Sequence, residues 1–256
     1  MEILLSTDKN YIMPTGVTMK SICVNNVNVT FHILIDKKVT ESQKQQLENI
    51  IDIDKGQSIK FYCLDTRFMD KFPSLGIVKS YITKATYYRL FISDVLPKTV
   101  SKVIYLDGDV VNTQSLEKLW SFDISGYAIG AVTDMAEARH DYTRLGYDAN
   151  KGYFNAGVLF INLDYWREHG LKDKFMDLIV RHPEKIKLHD QDVLNTTLVD
   201  EKINLPMKYN VQNGFLCNTI KEELRNRYDE CKDDLLEAIV GPVLIHFTDN
   251  KKPWHN

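Results

Sequence analysis

Between Ile3 and Leu106 the chain alternates strand-like and helix-like segments, and that rhythm limits what it can fold into. Ile3 to Ser6 reads as a strand and Tyr11 to Cys23 as a helix. Val29 to Ile35 (Val-Thr-Phe-His-Ile-Leu-Ile) is rich in β-branched and aromatic residues, which fit a pleated surface. Thr40 and Gln43 form a capping-box signature ahead of a helix carrying Leu47, Ile50 and Ile51 on one face. A strand over Ser58–Cys63, a helix over Thr83–Ile92 and a strand over Lys102–Leu106 follow. Strands interleaved with helices predict an α/β fold whose central sheet is mixed but mostly parallel and flanked by helices.

The second half is less regular. Ala128–Val132 and Val158–Asn162 read as strands, and Leu171, Phe175, Leu178 and Ile179 fall at helical spacing. Asp192–Leu198 reads as a short helix and Pro242–Phe247 as a final buried strand. No low-complexity linker or internal repeat divides the chain, so a single domain over 1–256 is expected. With 32 basic against 35 acidic residues and no basic patch, the electrostatic footprint of a nucleic-acid binder is missing. Cys23, Cys63, Cys217 and Cys231 show no Cys-x-x-Cys pair, so reduced core thiols are expected rather than a zinc site or disulfide framework. No window approaches the ~20 apolar residues of a bilayer span. The apolar run after Met1 is too short for a signal peptide, so a cytoplasmic, soluble protein is expected.

Val103-Ile104-Tyr105-Leu106 runs straight into Asp107-Gly108-Asp109, an apolar strand delivering two carboxylates at its end. Open α/β sheets bind ligands at the carboxyl ends of their strands. Asp-x-Asp recurs at Asp52/Asp54 and Asp190/Asp192, but Asp52/Asp54 sits in a helix-to-turn passage and reads as a solvated loop. Two carboxylates and an imidazole suit Mn²⁺ or Mg²⁺, with phosphate oxygens and water completing the shell. His246, at the end of Val243-Leu244-Ile245, is the candidate imidazole. The following Asn250-Lys251-Lys252-Pro253-Trp254 offers cations that would complement a diphosphate. Neither a G-x-G-x-x-G fingerprint nor a P-loop is present, so a nucleotide would be held by side chains and a metal.

Six segments, in order along nearly the whole chain, resemble glycosyltransferase family 8, the retaining sugar-nucleotide transferases that include bacterial galactosyl- and glucosyltransferases and the glycogenins. They are Ser6-Thr7-Asp8-Lys9-Asn10-Tyr11, Thr86-Tyr87-Tyr88-Arg89-Leu90, Tyr105 to Asp109, Tyr153 to Val158, Asp190 to Asn195, and His246 through Pro253-Trp254. The resemblance implies a GT-A-type fold with a nucleotide-binding half over 1–112 and a donor-sugar and acceptor half over 113–256. It implies a metal-dependent hexosyltransferase moving glucose or galactose from a UDP-sugar to a saccharide or glycolipid acceptor, with Mn²⁺ (or Mg²⁺) held by Asp107, Asp109 and His246. Ser6, Thr7, Asp8, Asn10, Tyr11, Asp107, Gly108 and Lys252 would line the UDP. Arg89, Asp134, Asn155, Ala156, Asp190 and Gln191 would surround the donor sugar. Gln191, Asp190 and Lys252 are the implied catalytic candidates. An amide is a poor covalent nucleophile, so Gln191 reads as a positioning and electrostatic group.

One departure stands out: Asp249 replaces the glycine that the family commonly carries between the metal histidine and the lysine, close to the diphosphate. Relatives often continue into a basic or aromatic tail, which leaves peripheral membrane contact open. Two other readings compete. Haloacid-dehalogenase-like phosphatases carry Asp-x-Asp-x-[Thr/Val], which would make Asp107 a nucleophile and Asp109 an acid/base. That motif normally follows the first strand, whereas residues 1–106 of α/β pattern precede it here. A non-catalytic sugar-nucleotide-binding domain is the third reading, mildly favoured by Asp249.

Overall fold

The computed structural model describes residues 1–64, 84–136, 140–216, 228–250 and 252–255. The strands are β1 (Glu2–Thr7), β2 (Thr30–Ile35), β3 (Ser58–Cys63), β4 (Lys102–Leu106), β5 (Val110–Asn112), β6 (Ile129–Thr133), β7 (Phe154–Asn162), β8 (Lys202–Asn204), β9 (Val211–Gln212) and β10 (Leu244–His246). The helices are α1 (Ile12–Asn25), α2 (Glu41–Glu48), α3 (Ile92–Val95), α4 (Glu117–Trp120), α5 (Tyr142–Leu145), α6 (Leu163–Glu168), α7 (Leu171–Arg181), α8 (His189–Thr197) and α9 (Tyr228–Val240). A seven-stranded sheet runs β3-β2-β1-β4-β7-β6-β8, and a smaller sheet runs β5-β10-β9. In the large sheet only β7 is antiparallel to its neighbours. The expected mixed, mostly parallel sheet flanked by helices is therefore what the chain builds.

Successive strand residues face opposite sides of a sheet, and the core divides accordingly. Ile3, Leu5, Phe31, Ile33, Ile104 and Leu106 pack on one face with Met19 and Ile22 of α1 and Leu47 of α2. Leu4, Leu34, Val103, Tyr105 and Ile161 pack on the other with Trp166 of α6, Phe175 of α7 and Val193 of α8. The capping box forms as expected: Thr40 accepts from the Gln43 amide, and the Gln43 side chain accepts from the Thr40 amide. The helix stops at Glu48, so Ile50 and Ile51 lie beyond its end while still packing on the core.

Strand order places the site. From β1 the chain moves outward through β2 and β3, then returns to β4 on the other side of β1. That reversal makes the crevice beyond the carboxyl ends of β1 and β4 a topological switch point, where open α/β sheets bind ligands. Thr7–Tyr11 leaves β1 there, and Asp107–Asp109 leaves β4 there. The chain then crosses from the large sheet into the small one, since Val110 already pairs with His246 of β10.

Two expectations need correction. The helix predicted over Thr83–Ile92 is a 3₁₀ segment over Lys84–Phe91 followed by the single turn of α3; Thr83 lies outside the described residues. Tyr87, Tyr88, Arg89 and Leu90 are all at most 5% exposed, so the segment is embedded rather than amphipathic, and packing overrides the helical pattern. The helix predicted from Asp192 begins at His189, so Asp190 and Gln191 sit in its first turn rather than in a loop. His189 enters with a left-handed φ of 53°.

Asp192 is no rival metal site. It is fully buried, accepts from Tyr153 Oη at 2.8 Å and Arg144 Nη1 at 2.9 Å, and takes the backbone N–H groups of Lys187 and Leu188 at 2.7 Å each. It fastens α8 to the loop before it and to α5. Breaking such a buried, paired network costs about 3–5 kcal/mol. Asp192→Ala is therefore expected to lower the calorimetric unfolding midpoint by about 10 °C. An unchanged midpoint would show that the network is dispensable.

Candidate active site

Asp107 follows β4 and Asp109 precedes β5, so their spacing is fixed by two different sheets. The antiparallel register of β10 on β5 sets His246 opposite Val110, and Phe247 N donates to the Asp109 carbonyl at 3.1 Å. His246 Nε2 then lies 3.3 Å from Asp109 Oδ1 and 3.9 Å from Asp107 Oδ2. Donor atoms of these three residues all fall within 4.8 Å of one another, the arrangement a metal needs.

Two glycines make room. A Cβ on Gly157, in β7, would sit 2.0 Å from His246 Cε1, so any side chain there would displace the imidazole. A Cβ on Gly108 would lie 2.8 Å from the Thr15 hydroxyl and 3.0 Å from the Tyr11 ring. The glycine between the carboxylates lets the β4–β5 corner press against α1.

The two carboxylates are neutralised differently. Asp107 Oδ1 accepts from Arg89 Nη2 at 2.7 Å and from Tyr105 Oη at 2.8 Å. Asp109 Oδ2 accepts from Lys252 Nζ at 2.8 Å and Tyr11 Oη at 3.2 Å. Burial alone would raise the Asp109 pKa, but His246 and Lys252 together outweigh it and hold the carboxyl well below its usual range. Asp109 Oδ1 is buried and accepts no hydrogen bond from the protein. An orphaned carboxylate oxygen facing an imidazole nitrogen suits a divalent cation, so these residues fit the metal the resemblance implies.

Arg89, 5% exposed, joins the cluster of Asp107, Asp109 and His246 to the group around Asp190. Its Nε lies 2.8 Å from Asp190 Oδ2, its Nη1 donates to the Ala156 carbonyl, and its guanidinium stacks 4.2 Å from the Tyr105 ring centroid. Burial is the largest influence on Asp190 and raises it; Arg89 opposes, nearby Asp107 reinforces, and the carboxyl is pushed up to about 7. Gln191 is held at both ends: Oε1 accepts from Ala156 N at 2.9 Å, and Nε2 donates to Asp134 Oδ2 at 3.3 Å. Asn155 Nδ2 donates to the same Asp134 oxygen at 3.1 Å. Asp134, Asn155, Ala156, Asp190, Gln191 and Arg89 therefore form one connected group.

Around β1 the candidates divide. Asp8 accepts from Asn10 N at 2.8 Å and its carbonyl accepts from Tyr11 N at 3.0 Å, a turn that carries the Tyr11 ring to Asp109. Thr7 is 1% exposed and receives the Thr15 hydroxyl at 2.9 Å, so its side chain braces β1 against α1. Ser6, half-buried, is the penultimate residue of β1. Trp254 packs edge-on against Tyr11 at 5.9 Å, which draws the segment carrying Lys252 over the crevice. Asp249 is exposed and accepts from Asn213 Nδ2 at 3.0 Å. Its carboxylate is thereby tied to the loop after β9; Lys251 lies outside the described residues.

Sequence reasoning missed three contributors: Tyr105 on Asp107, Gly157 beneath His246, and Asn210, whose Oδ1 lies 3.0 Å from His246 Nδ1. Tyr105 and Gly157 stood inside noticed motifs, but Asn210, just ahead of the two-residue β9, carries no local signal.

Comparison with known proteins places this geometry. The model of Glycosyl transferase family 8 matches residues 2–256. General stress protein A of Bacillus subtilis is 29% identical over 265 residues, covering 100% of this chain and 88% of that one. Lipopolysaccharide 1,2-glucosyltransferase of Escherichia coli K12 is 29% identical over 259 residues, covering 100% and 73%. Lipopolysaccharide 1,3-galactosyltransferase of Salmonella typhimurium is 28% identical, covering 99% and 73%. The crystal structure of the galactosyltransferase LgtC with donor and acceptor sugar analogues superposes with a TM-score of 0.87 at 25% identity, covering 100% of this chain and 90% of that one. The fold is accordingly GT-A, and the chain belongs to glycosyltransferase family 8.

Proposed function

We propose that this enzyme transfers a hexosyl group, glucose or galactose, from a UDP-sugar to an acceptor hydroxyl with retention at the anomeric carbon. The observation that carries it is the joint made by Arg89, which bridges Asp107 of the metal cluster to Asp190 of the sugar-side group. A cation-and-diphosphate subsite beside a polar sugar pocket is what cleavage of a sugar–diphosphate bond requires. Glucosyl- and galactosyltransferases among the relatives support the hexose. Their lipopolysaccharide acceptors support a saccharide or glycolipid of a bacterial surface glycan. Among the described residues no helix is long and apolar enough to cross a membrane, and peripheral contact at the inner membrane face fits such an acceptor.

In this reading residues 1–112 chiefly hold the nucleotide and 113–256 the sugar and acceptor. Ser6 to Tyr11 and Gly108 line the uridine side. Asp107, Asp109 and His246 hold Mn²⁺ or Mg²⁺, which when bound supplies charge neutralisation to the departing diphosphate. Lys252, whose Nζ lies 2.8 Å from Asp109 Oδ2, would add a second positive charge beside the diphosphate. Asp134, Asn155, Asp190 and Arg89 orient the hexose, and Gln191, fixed at both ends of its amide, faces the carbon that develops positive charge. The leaving phosphate oxygen is the base for the acceptor hydroxyl.

The phosphatase reading fares poorly on the same geometry. Arg89 and Tyr105 occupy Asp107 Oδ1, so Oδ2 alone would have to serve both as the nucleophile and as the oxygen offered to the metal.

Calorimetric titration with UDP tests the metal cluster. Asp109→Ala should remove Mn²⁺-dependent UDP binding, a larger loss than the roughly 10–100-fold that an outer-shell partner costs. Undiminished binding would overturn the ligand assignment. Gln191→Ala should lower kcat for transfer by roughly 10²–10³-fold, as for loss of one oriented electrostatic group, with UDP affinity kept. Parallel loss of both would assign Gln191 to binding or folding instead. Mn²⁺-dependent UDP binding by the wild-type protein with neither transfer nor donor hydrolysis would favour the non-catalytic reading.

A further inference from the structure

We infer that Asn210 is a positioning residue that sets the metal-binding tautomer of His246. The inference rests on the metal reading of Asp107, Asp109 and His246.

Two groups around Asn155 have a fixed hydrogen-bonding sense. Gly157 N is a backbone donor and lies 3.0 Å from Asn155 Oδ1, and Asp134 Oδ2 accepts from Asn155 Nδ2 at 3.1 Å. Each on its own fixes which end of the Asn155 amide is oxygen. The side-chain atom of Asn210 that lies 3.0 Å from Asn155 Oδ1 must therefore donate, which makes it Nδ2. Asn210 then turns its Oδ1 to His246 Nδ1 at 3.0 Å, and that nitrogen must carry the proton. Nδ1 is thereby committed to Asn210, and Nε2, which faces Asp109 Oδ1, is the nitrogen left for a metal.

The relay from imidazole to Asp134 is buried: Asn210 is 0% exposed, His246 4%, and Asn155 and Asp134 7% each, so bulk solvent has little access to replace a missing partner. Free imidazole carries its proton on either nitrogen, and a metal-binding Nε2 has to be chosen. The hydrogen bond on the other nitrogen makes that choice in metal-ligating histidines. Here the acceptor is an amide oxygen, Asn210 Oδ1, whose own orientation is fixed by Asn155, so the metal ligand and the sugar pocket share one hydrogen-bonded support.

Nitrogen-15 NMR of the imidazole in the metal-free protein, together with Mn²⁺ titration followed by EPR without sugar nucleotide, tests this. The wild-type protein should show the Nδ1–H tautomer at His246. Asn210→Leu should shift it toward Nε2–H and weaken Mn²⁺ binding by roughly 10–100-fold. Asn210→Asp can still accept from Nδ1–H but cannot donate to Asn155, so it should keep the tautomer and bind Mn²⁺ far better than Asn210→Leu. A residue serving stability alone would show no such rescue. If Asn210→Leu fails to fold, the wild-type tautomer and the Asn210→Asp variant still decide. An Nε2–H tautomer in the wild-type protein, or equal Mn²⁺ affinity in wild type and Asn210→Leu, would overturn the role of Asn210. No Mn²⁺ binding by the wild-type protein would instead overturn the metal reading beneath it.

Discussion

The site depends on the register of β10 against β5. Asp109 and His246 are 137 positions apart in numbering, yet pairing His246 with Val110 sets the imidazole beside the carboxylate. A one-residue slip would turn His246 to the opposite face of the small sheet. The Phe247 N–H bond to the Asp109 carbonyl pins that register at the corner where it matters. Given the register, the rest follows: Gly157 has to leave space for the ring, Lys252 falls on Asp109, and Trp254 reaches Tyr11.

Charge is arranged with the same economy. Within the described residues around the crevice, Arg89 sits between Asp107 and Asp190, while Lys252 sits on Asp109. The buried guanidinium cannot give up its proton, so it holds two acidic groups together in a region from which water is largely excluded. Tyr105 and Tyr11 add phenolic donors to the same carboxylates, and both phenols have pKa values raised by burial and by the charges they face. They stay donors, so the carboxylates keep their partners.

What was legible in the sequence follows contact range. Asp107-Gly108-Asp109 could be read because a buried strand, a turn residue and two carboxylates are consecutive. The Thr40–Gln43 capping box could be read because a helix terminus is satisfied within three residues. His246 showed itself as a polar residue ending an apolar run. The 3₁₀ form of Lys84–Phe91 could not be read, because Tyr87, Tyr88, Arg89 and Leu90 are all buried against segments distant in sequence, and that packing overrides the local pattern. The role of Asp192, half of a recurring Asp-x-Asp pair, could not be read because its donors are spread from Arg144 to Leu188. α9 is held by Leu235 and Ala238 in the core and by Asp234 on the Met207 amide, contacts that lie outside its own segment. Asn210 was invisible for the same reason: its partners, His246 and Asn155, lie 36 and 55 residues away.

The crossing at Gly108 carries a mechanical meaning. Asp107 is rigid with the large sheet and Asp109 with the small one, so the opening between the two carboxylates is a gauge of the angle between the sheets. Packing changes that tilt β5-β10-β9 against β4 by a few degrees would alter this bite without touching Asp107 or Asp109. The jaws of this pincer are single side chains, but its handles are whole sheets.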